Sequence, residues 1–416
     1  MAATLTLVAN ATATRHGARC LDGSRPGYFF APAKTSATNT SWVLFFKGGG
    51  WCWDLNECAS TANGGAGSTN HALKRVYLVG PLDEDPLVNP TFAQYNRVLL
   101  WYCDGASFAG DRAEPAIYHP ERFHHGAGTS RTARPLHFRG LANLRAILDD
   151  LRTRHGLSDA TDVLLTGASA GGLAAILHAD RVHAWLLAEG TPLRRYRAAP
   201  ISGFFPVRAD AAGQRWADAM RHVFEMQQAA AGVNAACAAA LPRAQRWRCF
   251  LANYSYAFSV TPTFPLQSSL DLWQLRFAWP ASCAARRFAN CTASPDEVAS
   301  LEGHASGLLA DLQRPSKARR AGEGGYVHAC VEHMLGLSST CSDGGAAMRE
   351  ALARWWSRHD GGRPHERAVD GRPSDGGPMW WLPSCQFSVE PPHVRCSQRR
   401  VRSGGEYSRM RAEPFR

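Results

Sequence analysis

Short apolar runs that stop at turn residues alternate along this chain with stretches whose apolar residues recur three and four apart. Trp42-Val43-Leu44-Phe45-Phe46 is one such run and ends at Gly48-Gly49-Gly50, the pattern of a buried strand entering a tight loop. Val98-Leu99-Leu100-Trp101-Tyr102 is a second, running into the turn-rich Asp104-Gly105-Ala106-Ser107, and Val163-Leu164-Leu165 is a third. Leu141, Leu144, Ile147, Leu148 and Leu151 mark one face of a helix that His155-Gly156 ends, and Gly171 to Leu187 reads as another helix. Strands alternating with helices in this way predict an α/β fold, with a mostly parallel central sheet and crossover helices. Further along, the Ala-rich stretch from Gln227 to Ala240 is expected to be helical, Thr261 to Gln267 extended, and Met348 to Arg358 an amphipathic helix. His359 to Pro378, rich in Gly, Pro, Asp and Arg without periodicity, is expected to be a flexible insertion. No repeat or composition shift divides the chain, so residues 1–396 read as a single domain and 397–416 as a basic tail.

Composition narrows the setting. The 416 residues are 45% hydrophobic and include 13 Trp, enough for a large core. No apolar run reaches the roughly 18 residues of a membrane-spanning helix. The 12 Cys form no C-x-x-C pair, which argues against a zinc ribbon or a thioredoxin-like site. Cys330 and His333 are spaced like half a zinc site, but no second half is apparent, and no metal is expected. The short loops Cys52 to Cys58, Cys283 to Cys291 and Cys385 to Cys396 read as disulfide staples, which implies an oxidising, extracellular-type compartment. Acceptor tripeptides at Asn10, Asn39, Asn253 and Asn290 point the same way. Met1 to Gly17 lacks a charged segment followed by a long apolar run, so it does not look like a signal peptide. Either the start of the chain is placed late or its export route is not visible here. The net charge of +11 suits an anionic partner. Part of that charge lies in the tail, where Arg399, Arg400, Arg402, Arg409, Arg411 and Arg416 read as a solvated segment.

The candidate chemistry begins at Gly167-Ala168-Ser169-Ala170-Gly171, a G-x-S-x-G pattern placed directly between a strand and an apolar helix. A nucleophile elbow needs that setting: the glycines admit a sharp turn that lifts the serine hydroxyl clear of the sheet, and the helix N-terminus favours developing negative charge. The bland alternative is a small-residue turn that packs a helix on a sheet. Lys47-Gly48-Gly49-Gly50-Trp51 follows an earlier strand and can present backbone N–H groups to an oxyanion, with Ala170 supplying the second donor. No G-K-[ST] follows those glycines, so a phosphate loop is not indicated.

These segments together resemble the pectin acetylesterase and Notum family of carboxylester hydrolases, with the plant-type pectin acetylesterases nearer. The likeness is carried by Ala18 to Ser24, Gly48-Gly49-Gly50-Trp51-Cys52, Tyr102 to Asp111 and Ser169 to His178. Weaker matches follow at Leu270 to Gln274, Ala329 to His333 and Trp355-Trp356. The resemblance implies an α/β-hydrolase-like fold and a Ser, Asp, His triad in that chain order. It maps the acid onto Asp271 and the base onto His333, with oxyanion donors near Gly50 and Trp51 together with Ala170. From the residues alone, His304, His328, His333, His359, His365 and His393 all stand open as the base, and Asp271 has a second reading as a helix N-cap. The chain departs from the plant-type pattern at Lys47, where Glu is usual, at Ala168, where Cys is usual, and at Met334-Leu335, in place of a polar pair. Pro265 is a further oddity, because it removes a ladder donor from the segment before Asp271.

The function this implies is removal of O-acetyl groups from an acidic cell-wall polysaccharide such as pectin, through an acyl-enzyme and without cofactor, by a secreted protein with no nucleic-acid partner. Three rivals stand beside it: a Notum-like deacylase of longer acyl esters, a non-catalytic polysaccharide-binding protein on the same fold, and an anion-binding module led by the arginine tail.

Overall fold

The computed structural model describes residues 2–120, 132–207, 211–275, 295–313, 324–328, 333–334, 348–358 and 379–381. Its strands are β1 (Ala2–Leu7), β2 (Gly27–Ala31), β3 (Ser41–Phe46), β4 (Arg75–Tyr77), β5 (Asn96–Leu100), β6 (Ala116–Tyr118), β7 (Arg134–Leu136), β8 (Asp162–Ala168), β9 (Arg195–Ile201), β10 (Leu266–Ser268), β11 (Gly324–His328) and β12 (Met379–Trp381). Ten of them form one sheet in the order β12-β11-β10-β9-β8-β3-β5-β2-β1-β4. From β12 to β5 every neighbouring pair is parallel, and β2, β1 and β4 close one edge antiparallel. The expected α/β fold is therefore present, and its central strands are buried on both faces.

Residue alternation along the strands explains that burial. Leu44 and Phe46 of β3 and Val163 and Leu165 of β8 enter one apolar cluster, while Val43, Phe45 and Leu164 enter a second on the opposite face. The first face is covered by α3 (Gly140–His155), whose Leu141, Leu144, Ile147, Leu148 and Leu151 are all buried, and by α4 (Ala170–Ala188). The second face is covered by α9 (Met348–Ser357), which buries Leu352, Trp355 and Trp356.

The remaining helices are α1 (Asn10–His16), α2 (Leu55–Ala62), α5 (Ala211–Met226), α6 (Ala235–Ala240), α7 (Ala252–Ser255) and α8 (Pro295–Gln313). The expectation of one helix from Gln227 to Ala240 is corrected. The helix lies earlier, as α5, and ends before Gln228, which takes a left-handed conformation. A 3-10 turn over Ala229–Gly232 follows, and α6 starts afresh where the Asn234 side chain accepts from the Cys237 N–H. The Cys237–Cys249 disulfide pins that short helix. The extended segment before Asp271 is present: it bridges β9 at Thr263, where the Ala198 N–H donates to the Pro262 carbonyl and the Phe264 N–H to the Ala198 carbonyl, and it continues as β10. Pro265 stands just ahead of it, where no ladder donor is needed, and its carbonyl accepts from the Tyr326 N–H at 2.8 Å.

The Cys52–Cys58 staple is formed, and a long-range bridge, Cys20–Cys103, ties the chain before β2 to the loop after β5. Cys283, Cys291, Cys385 and Cys396 lie outside the described residues, as do the insertion 359–378 and the tail 397–416. Among the described residues no helix is long and apolar enough to cross a membrane.

One buried cation locks the last helix to the sheet. Arg197 of β9 is fully buried and donates to the carbonyls of Trp355, Trp356 and Arg358, the C-terminal end of α9. Its guanidinium also lies 5.2 Å from the Trp355 ring. A positive charge there complements the helix dipole and satisfies orphan carbonyls. Arg197→Met should lower stability by about 2–4 kcal/mol, because charge-assisted hydrogen bonds to buried carbonyls are lost. A urea unfolding midpoint unchanged from wild type would refute this role.

Candidate active site

The first catalytic-type group sits at the C-terminal edge of the sheet, where connections diverge from β3 towards β5 on one side and β8 on the other. Strand β8 ends at Ala168, and Ser169 turns the chain into α4 with φ 58° and ψ −126°. A non-glycine residue in that region stores about 1–3 kcal/mol of strain, held by its surroundings. Here the Ser169 N–H donates to the Ile201 carbonyl at 3.0 Å, and its own carbonyl accepts from the Leu173 N–H at 3.0 Å. Ser169 is 7% exposed. Gly171 permits the tight crossing, since a side chain there would overlap the Phe46 carbonyl.

The glycine loop after β3 lies against this elbow, because Phe46 pairs in register with Gly167. A Cβ on Gly48 would overlap the Ala168 carbonyl and come within 3.0 Å of the Ser169 Cβ. Among the described residues, no acceptor takes the backbone N–H of Gly50, Trp51 or Ala170. These are the groups expected to face an oxyanion.

Their positions are held by the segment from Tyr102, turn-rich in the sequence and one of the stretches that carry the family likeness. The Tyr102 hydroxyl donates to the Gly50 carbonyl at 2.5 Å and accepts from the Ser107 N–H at 3.2 Å. Trp51 Nε1 donates to Ser107 Oγ at 2.9 Å, and that hydroxyl donates to the Ala170 carbonyl at 2.8 Å. Ser107 thus links the two halves of the prospective oxyanion hole. It does so from a strained backbone, with φ 54° at Ser107 and 58° at Phe108. His178 on α4 meets the Ser107 carbonyl at 3.1 Å, and burial pushes its imidazole down to about 3, so it remains neutral there.

Gly48→Ala should therefore displace the loop rather than unfold the sheet. The expected result is a fall in kcat on the order of 10²-fold, as for other small misplacements of reacting groups. Esterase kinetics beside a thermal melt would test it, and wild-type kcat would count against the packing described.

The second group of residues comes from the ends of β10 and β11. Asp271 is fully buried, and its Oδ2 lies 2.8 Å from His333 Nδ1, with Oδ1 at 3.0 Å. Oδ1 also accepts from the backbone N–H groups of Trp273, at 3.0 Å, and Gln274, at 3.1 Å. Asp271 is thus both the N-cap of the turn that follows and the partner of His333, so its two sequence readings hold together. Donation from Nδ1 leaves Nε2 of His333 as an acceptor. That nitrogen is buried and makes no hydrogen bond among the described residues, Ser169 included. The rival His328 lies on β11, where burial lowers it to about 4 and its carbonyl accepts from the Ser269 N–H at 2.8 Å. It supports the loop that carries Asp271. His304 lies on α8, and His359, His365 and His393 lie outside the described residues.

Neighbouring contacts join the two groups. Ile201, which accepts from Ser169, is followed by Ser202, whose hydroxyl accepts from the Met334 N–H at 3.1 Å, next to His333. On the other side, an aromatic set runs from the glycine loop to the imidazole. Trp51 lies 5.0 Å from Phe205, 5.3 Å from Trp216 and 5.5 Å from Trp273 between ring centroids. Phe205 and Trp273 lie 6.4 and 6.5 Å from His333. Of these aromatic rings, Trp51 and Trp273 lay in stretches that the sequence marked, and Phe205 and Trp216 did not. Among the described residues no cluster of His, Cys, Asp or Glu suits a metal ion.

Comparison with known proteins places this arrangement. A family model described as Pectinacetylesterase matches residues 1–360. Pectin acetylesterase 5 of Arabidopsis thaliana is 29% identical over 332 residues, covering 78% of this chain and 72% of that protein. The palmitoleoyl-protein carboxylesterase Notum of Schmidtea mediterranea is 24% identical over 362 residues, covering 82% of this chain and 61% of its own length. Among solved structures, the Wnt deacylase Notum from Drosophila superposes with a TM-score of 0.66 at 21% identity, over 85% of this chain and 93% of that one.

Proposed function

Because this chain belongs to the pectinacetylesterase family of carboxylic ester hydrolases, we propose that it removes O-acetyl groups from an acidic cell-wall polysaccharide such as pectin, with Ser169, His333 and Asp271 as its triad. The carrying observation is the Asp271–His333 pair, whose Nε2 has no hydrogen-bond partner among the described residues, at the same sheet edge that bears the strained serine.

In this reading His333 Nε2 accepts the Ser169 proton as the hydroxyl oxygen bonds to the ester carbonyl carbon. Asp271 orients the ring and stabilises the imidazolium. The oxyanion is held by the N–H groups of Ala170 and of Gly50 or Trp51, each worth about 3 kcal/mol in sites of this type. The imidazolium then protonates the departing sugar hydroxyl, leaving an acetyl-serine. Water, deprotonated by the same imidazole, releases acetate and restores the serine. The three disulfides among the described residues suit secretion into an oxidising compartment, and the net charge of +11 suits a polyanionic polymer. A single domain over residues 1–396 is part of this proposal.

The Notum relatives raise a second reading, hydrolysis of a longer acyl ester. The rings beside His333 pack edge to face against one another, which favours a small acyl group. A chain-length series of nitrophenyl esters, run with acetylated pectin, separates the two. Acetate should be preferred, with acetic acid released from the polymer. Preference for octanoate or longer, without release from pectin, would move the assignment to the second reading.

A further inference from the structure

The residue before the triple glycine is a lysine turned inward. Lys47 is 6% exposed, and its ammonium donates to the Gly48 carbonyl at 3.1 Å while lying 4.5 Å from the centre of the Trp101 ring. Its backbone N–H is fixed to the Leu100 carbonyl at 3.1 Å. Among the described residues no carboxylate pairs with it. Nothing in the sheet's packing calls for a cation here, and an isolated buried charge is unfavourable for folding. The peptide it grips is the one packed against Ala168 and Ser169.

We propose that Lys47 is a positioning residue for acyl transfer: its ammonium anchors the first peptide of the glycine loop, and its buried charge favours the anion formed at Ser169. This rests on the reading of Ser169 as an esterase nucleophile. A positive charge in a water-poor wall acts on the oxyanion far more strongly than it would in water, without touching the substrate. The anchored carbonyl also fixes the plane of the Gly48–Gly49 peptide, from which the rest of the loop departs.

The charge is titratable in a useful range. Burial alone brings the lysine down to about 8. The ammonium is present below that pH and lost above it, so kcat should fall as pH rises through about 8. Other titratable groups near this edge are Tyr102, Asp104, His178, Asp271 and His333. None hydrogen-bonds or ion-pairs with Lys47 among the described residues. Tyr102 is pushed well above its ordinary range by burial and His178 is down near 3, so neither supplies a fall near pH 8; burial raises Asp104 to about 7, and its contribution is the part of the alkaline change that the Lys47 variants would keep. Because the folded value lies below the ordinary one of 10.5, the buried charge works against folding at neutral pH, and stability should recover as pH rises from about 8 towards 10.5.

The test compares wild type with Lys47→Met and Lys47→Gln, measuring kcat and KM on a short-chain ester from pH 6 to 10, thermal melts and fluorophosphonate labelling of Ser169. The expected result is a fall in kcat of about tenfold in both variants at pH 7, with KM within about twofold. The alkaline decline near pH 8 should disappear, and Lys47→Met should melt no lower than wild type. Retention of wild-type kcat and of the alkaline decline would overturn the proposal. So would a lower melting temperature with activity lost only in proportion to unfolded protein, which is the signature of a structural role. A wild type inert to both ester and probe would overturn the esterase reading, and this proposal with it.

Discussion

Ser169→Ala is expected to lower kcat for ester hydrolysis on the order of 10⁶-fold while leaving the fold and melting temperature close to wild type. The effect is this large because no other group replaces the covalent step: without the hydroxyl, His333 has only water to activate, and the acyl-enzyme cannot form. Little stability is at stake. The elbow is held by main-chain bonds from Ser169 to Ile201 and Leu173, which alanine keeps, and no hydrogen bond of the Ser169 hydroxyl is lost with it among the described residues. Acetate release from acetylated pectin by the two proteins, side by side, measures the difference. A variant that retained even a hundredth of the wild-type rate would remove Ser169 as nucleophile.

The second large effect concerns Asp271, where structure and chemistry can be separated in one substitution. Asp271→Asn keeps an oxygen able to accept from the Trp273 and Gln274 N–H groups, and asparagine caps helices about as well as aspartate. What it removes is the carboxylate that accepts the hydrogen bond from His333 Nδ1–H, so the imidazole is free to settle in the wrong tautomer. In the well-characterised serine-protease triad the same change costs about 10⁴-fold in kcat. A loss of that order is expected here, with a melting temperature near wild type. Asp271→Ala should lose activity as strongly and also about 1 kcal/mol of stability with the cap. Should Asp271→Asn turn over esters at the wild-type rate, the pairing with His333 would be structural, and the acid would have to be sought elsewhere.

Much of the site was legible along the chain because its first half is local. A strand, five residues and a helix define the elbow, so Ser169 and Ala170 could be read from Gly167 to Gly171 and the apolar runs on either side. The glycine loop was legible for the same reason. Asp271 and His333 were not, since neither has a local signature: one reads equally well as an N-cap, and the other is one of several histidines. Resemblance named them, and the hydrogen bond between them depends on β10 and β11 lying side by side. Ser107 stood in a stretch that carried the family likeness but was given no role there, because linking Trp51 to Ala170 is visible only in space. The stretch expected to be helical from Gln227 to Ala240 is helical in two pieces, Ala229–Gly232 and Ala235–Ala240, because Gly232 and Asn234 interrupt an alanine-rich run.

By itself, the order of apolar and small residues determined the class of fold, the burial of the central strands and the bend at position 169, since each follows from side-chain size and spacing within a few neighbours. Only the tertiary structure decided which acid meets which imidazole, what braces the glycine loop and where the Lys47 charge ends up. Those contacts join residues far apart along the chain, as where the Trp273 ring packs against Trp51 beside the glycine loop. Strand order, not sequence distance, sets such neighbours: β8 lies between β3 and β9, and that adjacency brings the loop of one strand against the turn of the next.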